Sequence, residues 1–267
     1  MKKFYIITKV YDGDGFFAKF NHVLMHLYKG DELGLIPYVD YTKPSNLRDY
    51  TNNETNNEWE YCFEQNYTFD EVYNSDHTMS DGLFQGWYPA QGKNYRNSDL
   101  TKRLNYLYHK YIKVKPEIQN KVDQEIFNYK TLGVHCRRSD MNRYHPEIAL
   151  NITNEIFFQK TMKIYEENNF EKIYIATEEI EIINYFKSKI PEKIIYQDCF
   201  RVNKNESPVH KQDDRPLHRT LQCQEVLIDA LNLANCNSFL CGISGVSNAV
   251  AYINGLKFEN VYYFDEI

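Results

Sequence analysis

A chain of 267 residues, 42% of them hydrophobic, is long enough to bury one large core or two modest ones. Its formal charge of -6 argues against a nucleic-acid partner, which calls for a net basic face. No stretch nears the roughly eighteen apolar residues of a membrane span, which leaves contact with a membrane surface open. The six cysteines, at 62, 136, 199, 223, 236 and 241, lack the close pairing of a metal site and read as reduced thiols in a cytoplasmic chain.

In chain order, residues 3–10 read as a first strand, the apolar run from Phe4 to Ile7 being too short for a signal segment. A turn with Gly13 and Gly15 follows, then apolar residues at helical spacing, Phe17, Phe20, Val23, Leu24 and Leu27. Residues 35–40 form a second strand, so the opening is a βαβ unit, which favours a parallel sheet. Residues 41–97 are polar, with a solvated loop at 51–57. The aromatic cluster 84–89 reads as a small core in preference to a carbohydrate-stacking surface. Two amphipathic helices are expected at 100–111 and 116–127, the second with Pro116 in its first turn.

From 131 onward, strands at 131–136, 172–177, 194–196, 238–241 and 261–264 alternate with helices at 154–168, 180–190, 221–233 and 249–253. A polar loop at 200–215 carries His210, Asp213 and Asp214. The alternation is the pattern of a doubly wound domain. Its first strand, Thr131-Leu132-Gly133-Val134-His135-Cys136, runs directly into Arg137-Arg138-Ser139-Asp140. Ligands of parallel sheets collect at the carboxyl ends of the strands, and adjacent guanidinium groups repel one another unless an anion sits with them. Either a phosphate-bearing ligand occupies this edge, or the arginines pair internally with Asp140 and Glu178. Alternation puts His135 and Arg137 on one face and starts Arg138 from the other.

Two strand–glycine turn–helix passages are candidate anion sites, because free N–H groups and the helix dipole converge there. One centres on Gly15 and Phe16, the other on Ser244, Gly245, Val246 and Ser247. Both are also ordinary turns in the bland reading, and no Gly-x-Gly-x-x-Gly or phosphate-loop lysine motif supports a dinucleotide or P-loop protein. Asp229 stands among Val226, Leu227, Ile228, Ala230 and Leu231. It either faces solvent or a salt-bridge partner, or accepts the paired N–H donors of a guanine edge.

These blocks together carry a resemblance. Gly133 to Asp140, Ile173 to Glu179, Val226 to Asp229, Ser244 to Ser247 with Ala251-Tyr252, and the early Gly13 to Phe16 with Asn21-His22-Val23 follow one order. It resembles that of the superfamily of α1,6-fucosyltransferases, nodulation fucosyltransferases and protein O-fucosyltransferases. The resemblance implies an α/β chain of GT-B fold, two Rossmann-like domains facing across a cleft. It implies an inverting transfer of fucose or a related sugar from a GDP-sugar to a glycan acceptor, with no metal and no cofactor.

Carried over, the catalytic set is Arg137 on the β-phosphate, Arg138 beside it for charge or structure, and Asp14 as a candidate base. His135 and Asp229 would bind the guanosine. Gly15, Phe16 and the 244–247 turn would close on the diphosphate. Asp140, Glu147 and Glu178 stay open as base or structural groups: Glu178-Glu179 stand where the family has two aspartates, and the glutamate that follows the arginine motif in the α1,6 enzymes has no clear match. The division expected is 1–130 on the acceptor side and 131–267 on the nucleotide side. Two rival readings are the same fold with another sugar-nucleotide donor, and a non-catalytic binder of sugar nucleotides or glycans.

Overall fold

Lys3–Thr8 (β1) buries its four central side chains, Phe4 to Ile7, on both faces. That pattern belongs to a strand inside a covered parallel sheet. In the computed structural model of the chain, which describes residues 2–8, 15–42, 57–80, 98–138, 152–203 and 215–267, β1 is the centre of a three-stranded parallel sheet. Ile36–Asp40 (β2) lies on one side of it and Asp76–Met79 (β4) on the other. Phe16–Glu32 (α1) makes the crossover from β1 to β2. Phe63–Glu64 (β3) pairs antiparallel with Lys113–Val114 (β5), and Phe69–Tyr73 (α2) and Ser98–Tyr111 (α3) complete this half.

The expected helix over 116–127 is interrupted. Pro116–Gln119 (α4) makes one turn, and a 3-10 helix, Gln124–Asn128, restarts after Asp123, whose carboxylate accepts the Glu125 N–H at 2.8 Å. An aspartate at that position favours a new cap over continuing the helix.

The second half alternates as read: Thr131–Cys136 (β6), Asn154–Glu167 (α5), Lys172–Thr177 (β7), Ile180–Lys189 (α6), Ile194–Ile195 (β8), His218–Ala234 (α7), Ser238–Cys241 (β9), Gly245–Asn254 (α8) and Val261–Tyr263 (β10). Its strands form one parallel sheet in the order β10-β9-β6-β7-β8. The chain winds outward from β6 to β8, then returns to the other side of β6 through β9. The order therefore reverses between β6 and β9, the switch point at which such sheets hold their ligands.

The two sheets share no strand among the described residues, yet their cores meet. Phe20, Trp59, Phe63 and Tyr108 from the first half belong to one buried cluster with Leu227, Ala249, Val250 and Tyr252 from the second. Cys62 and Cys223 bring their sulfurs to 3.5 Å across this junction, and Asn105 donates to the carbonyls of Tyr252 and Ile253 at 2.9 Å. On the opposite face of the large sheet, Leu132, Val134, Ile173, Ile175 and Leu240 pack with Phe157, Ile183 and Phe186 in a separate core. No helix of the described residues is long and apolar enough to cross a membrane.

Candidate functional site

All six residues of β6 are buried. Leu132, Val134 and Cys136 point into the core under α5 and α6, so Gly133 and His135 point the other way. At Gly133 a methyl group would lie 3.0 Å from Cys236 Sγ and 3.2 Å from Leu233 Cδ2. Only glycine lets α7 and the turn after it come this close.

Beyond Cys136 the two arginines part. Arg138 follows the Cys136 face and is 2% exposed. Its Nη2 donates to Glu179 Oε2 at 2.5 Å and to Asn154 Oδ1 at 2.7 Å, its Nη1 to the Ile152 carbonyl at 2.9 Å, and its Nε to Glu179 Oε1 at 3.3 Å. A guanidinium so enclosed cannot reach a ligand without breaking a buried ion pair. Of the two roles expected for Arg138, charge or structure, these contacts fit the structural one. Among the described residues its carboxylate partner is Glu179, where the internal-pair reading had named Glu178.

Arg137 is half-buried at the carboxyl edge. Its charge reaches His135, whose imidazole is held down at about 3, first by burial and then by Arg137. His135 is thus neutral at physiological pH, with one ring nitrogen a donor and the other an acceptor. By register His135 lies opposite Cys241 of β9. The chain that leaves β9 into Gly242 and Ser244 therefore emerges beside Arg137, at the switch point.

There Ser244 caps α8. Its hydroxyl accepts the Ser247 N–H at 3.0 Å, and the Ser247 hydroxyl accepts the Ser244 N–H at 2.8 Å. This reciprocal box explains why α8 starts at Gly245 and not at the expected 249. Gly245 and Val246 contribute the N–H groups of the first turn. The Val246 side chain itself is buried in the core, so its backbone is what could face an anion.

The structure also brings α1 to this point. Asn21 donates from Nδ2 to the Gly245 carbonyl at 3.0 Å, and a methyl on Gly245 would touch Phe17 at 3.6 Å. α1 follows Gly15, its N-cap, without a side-chain cap, so its first two turns, through Phe17 and Asn21, sit against the start of α8, more than two hundred residues away. The Phe16 ring packs at 5.0 Å from Phe17 and 6.2 Å from Phe63, leaving its backbone on the turn.

Asn21 is the residue that motif spacing did not single out for a role. It is 2% exposed, and its Oδ1 has no hydrogen-bond partner. A buried, unmatched carbonyl costs about 1–3 kcal/mol. In the sequence it stood out as a polar residue inside an apolar helical stripe and as the start of the Asn21-His22-Val23 block, with no role attached.

Asp229 lies on α7, one turn before the Leu233 that packs on Gly133, and is 8% exposed. Its Oδ1 accepts the Tyr174 hydroxyl at 2.6 Å. With its amide oriented to satisfy both neighbours, Gln197 donates to the same oxygen at 3.1 Å and to the Glu225 carbonyl at 2.9 Å. No donor among the described residues reaches Oδ2. Burial pushes this carboxyl up to about 6, against the Tyr174 hydrogen bond and the charge of Arg201. Glu178 is half-buried at the end of β7, where its carbonyl accepts the Val202 N–H at 2.9 Å. Asp14, Asp140 and Glu147 lie outside the described residues, as do the 84–89 aromatic cluster, His210 and Asp213-Asp214.

No family model and no curated protein matches the sequence. Solved structures do match. The fucosyltransferase NodZ from Bradyrhizobium is 14% identical, with 100% of this chain and 97% of that one covered at a TM-score of 0.55. NodZ α1,6-fucosyltransferase soaked with GDP-fucose is 15% identical over 94% and 93% of the two chains, at 0.54. POFUT1 in complex with GDP is 9% identical over 98% of each, at 0.51. The chain has the fold of these fucosyltransferases. Shared fold alone does not assign chemistry, which belongs to the site.

Proposed function

We propose that this protein is a glycosyltransferase that moves fucose, or a related sugar, from a GDP-sugar to a glycan hydroxyl. What supports the reading is the position of Arg137 and neutral His135 at the carboxyl end of β6, beside β9, which leads into α8, whose Gly245 meets Asn21 and Phe17 of α1. In an inverting transfer without metal, GDP leaves as negative charge grows on its β-phosphate. Fixed donors aimed at that charge stabilise the transition state. Arg137 supplies the cation, and the N–H groups of Gly245 and Val246, with those after Gly15, supply neutral donors.

Asp229 Oδ2 accepts a guanine N–H, and His135 completes the nucleoside contact. The acceptor base is one of Asp14, Asp140, Glu147 or Glu178. The division into an acceptor side over 1–130 and a nucleotide side over 131–267, facing across a cleft, belongs to this reading.

Calorimetric titration with GDP, UDP and ADP tests it. GDP should bind most tightly, and its affinity should fall about tenfold from pH 7 to pH 5 as Asp229, titrating near 6, takes up a proton. Asp229→Asn should flatten that pH dependence. Equal binding of all three nucleotides would remove the guanine assignment.

A further inference from the structure

At the carboxyl edge of the small sheet the chain leaves β2 through Tyr41 and Thr42 and is described again from Asn57, entering the 3-10 turn Glu58–Tyr61, β3 and α2. Between these pieces lies a cavity of about 860 Å³, whose walls include Tyr38, Glu60, Phe63, Glu64, Tyr67 and Phe69. Parallel sheets take ligands at this edge, and small-molecule sites span roughly 300–1,000 Å³. None of these residues has a part in the nucleotide reading above.

The lining indicates the class of occupant. Among the described residues, Glu60 and Glu64 share the cavity with one lysine, Lys115, and Glu64 is already paired with Lys113. The described part of the wall carries no surplus cation for a phosphate and suits a neutral ligand better than a second nucleotide. Its hydrogen-bonding groups are fixed in advance. Gln65 accepts the Val39 N–H at 2.8 Å and donates to Glu60 Oε1 at 2.9 Å, and Asn57 donates to the Val39 carbonyl at 2.8 Å. The Tyr38 hydroxyl is pushed up to about 12 by burial and by the charges of Glu60 and Asp40, so it keeps its proton.

The aromatic walls are braced as well. Phe69, 45% exposed, stacks on Tyr73 with ring centroids 4.1 Å apart, and the half-buried Tyr67 takes Phe4 edge-on at 5.1 Å. Fixed carboxylate and amide groups beside rigid aromatic faces match a neutral saccharide, whose hydroxyls donate and whose C–H faces pack on rings. The cavity is also joined to the proposed donor site. Buried Phe63 stacks on Phe16 at 6.2 Å with the rings 13° from parallel, and Phe16 follows Gly15 of the first glycine turn.

We propose that this cavity is a saccharide subsite holding the acceptor glycan one aromatic layer from the donor turn. The word acceptor rests on the glycosyltransferase reading; saccharide binding does not. The test titrates maltotetraose, cellotetraose and N-acetylchitotetraose into the full chain, with saturation-transfer NMR and calorimetry as readouts, and GDP in parallel. At least one tetrasaccharide should bind, weakened about tenfold by Phe69→Ala and by Glu60→Gln, while GDP affinity changes less than about twofold. Binding of none of the three, or full affinity in both variants, overturns the subsite. Saccharide binding with that pattern but without GDP binding would leave the subsite standing and remove the glycosyltransferase reading. GDP binding without any saccharide would do the reverse.

Discussion

On the face covered by α5 and α6, the five-stranded sheet presents Leu132, Val134, Cys136, Ile173 and Ile175, and the charge that emerges there, Arg138, ends on Glu179, Ile152 and Asn154. On the face covered by α7 and α8 the same strands present His135 and Tyr174, met by Asp229 from α7, while Asn21 of α1 brings an unmatched carbonyl to Gly245. One face has spent its polar groups on the protein. The other carries polar groups whose burial is costly, two of which, Asp229 Oδ2 and Asn21 Oδ1, lack a donor among the described residues. Of two adjacent arginines, Arg138 is enclosed on one face by its ion pair with Glu179, whereas Arg137 stays half-buried at the edge and is the one proposed to meet a ligand.

The largest effect that could break this contrast is on folding. Arg138→Ala or Glu179→Ala strands a buried charge and should cost about 3–5 kcal/mol, which is roughly 10 °C or more in Tm for a chain of this size. Arg137→Ala, at the half-buried edge, should cost about 1 kcal/mol or less. Equal losses by calorimetry would erase the distinction between the two faces.

Next in size is packing. Gly133→Ala pushes a methyl onto Cys236 and Leu233 and should destabilise by about 1–3 kcal/mol. Gly245→Ala, whose nearest contact would be 3.6 Å, should fold within about 0.5 kcal/mol of the parent. Denaturant midpoints distinguish the two.

The smallest is the response to acid. His135 and His22 titrate in the folded protein near 3 and near 4, below their ordinary 6.5, His22 through burial and then the neighbouring His26. The unfolded chain takes up these protons first, so their stabilising contribution is present above about 6.5 and is lost as pH falls. Asp229, raised from 3.8 to about 6, works oppositely between those values, since the folded state then binds the extra proton. His135 and His22 against Asp229 leave a net loss of about 1.4 kcal/mol per pH unit between roughly 6 and 4, to which His109, lowered by burial and by Lys257, adds in the same direction. His135→Gln should flatten the slope of unfolding free energy against pH over that range. An unchanged slope would mean that the imidazole is not buried neutral.

Much of this was legible because burial on both faces leaves a strong mark. The apolar runs of β1, β6 and β7 stand out, and the glycine turns sit where strands give way to helices. The alternation rule also separated His135 and Arg137 from Arg138. What was hidden depends on partners far along the chain. Glu179 is 41 residues from Arg138, and Lys19 on α1 is buried against Glu58 at 2.6 Å. An amphipathic pattern shows a helix's apolar stripe; it does not show that His26, bonded to the Tyr5 hydroxyl at 2.8 Å, or Asn21 will be enclosed on its other sides. β4, Asp-His-Thr-Met, is exposed at every residue and carries no periodic signal at all; pairing with β1 defines it.

Arg137, and not its neighbour, is the residue proposed to hold the departing nucleoside diphosphate. Calorimetric titration of GDP into the parent and into Arg137→Ala, with the folded fraction checked by the thermal transition, tests it most directly. The account predicts measurable GDP binding by the parent and a loss of roughly 10- to 100-fold in the folded variant. Unaltered affinity in Arg137→Ala, or a parent chain that binds no GDP, would contradict it.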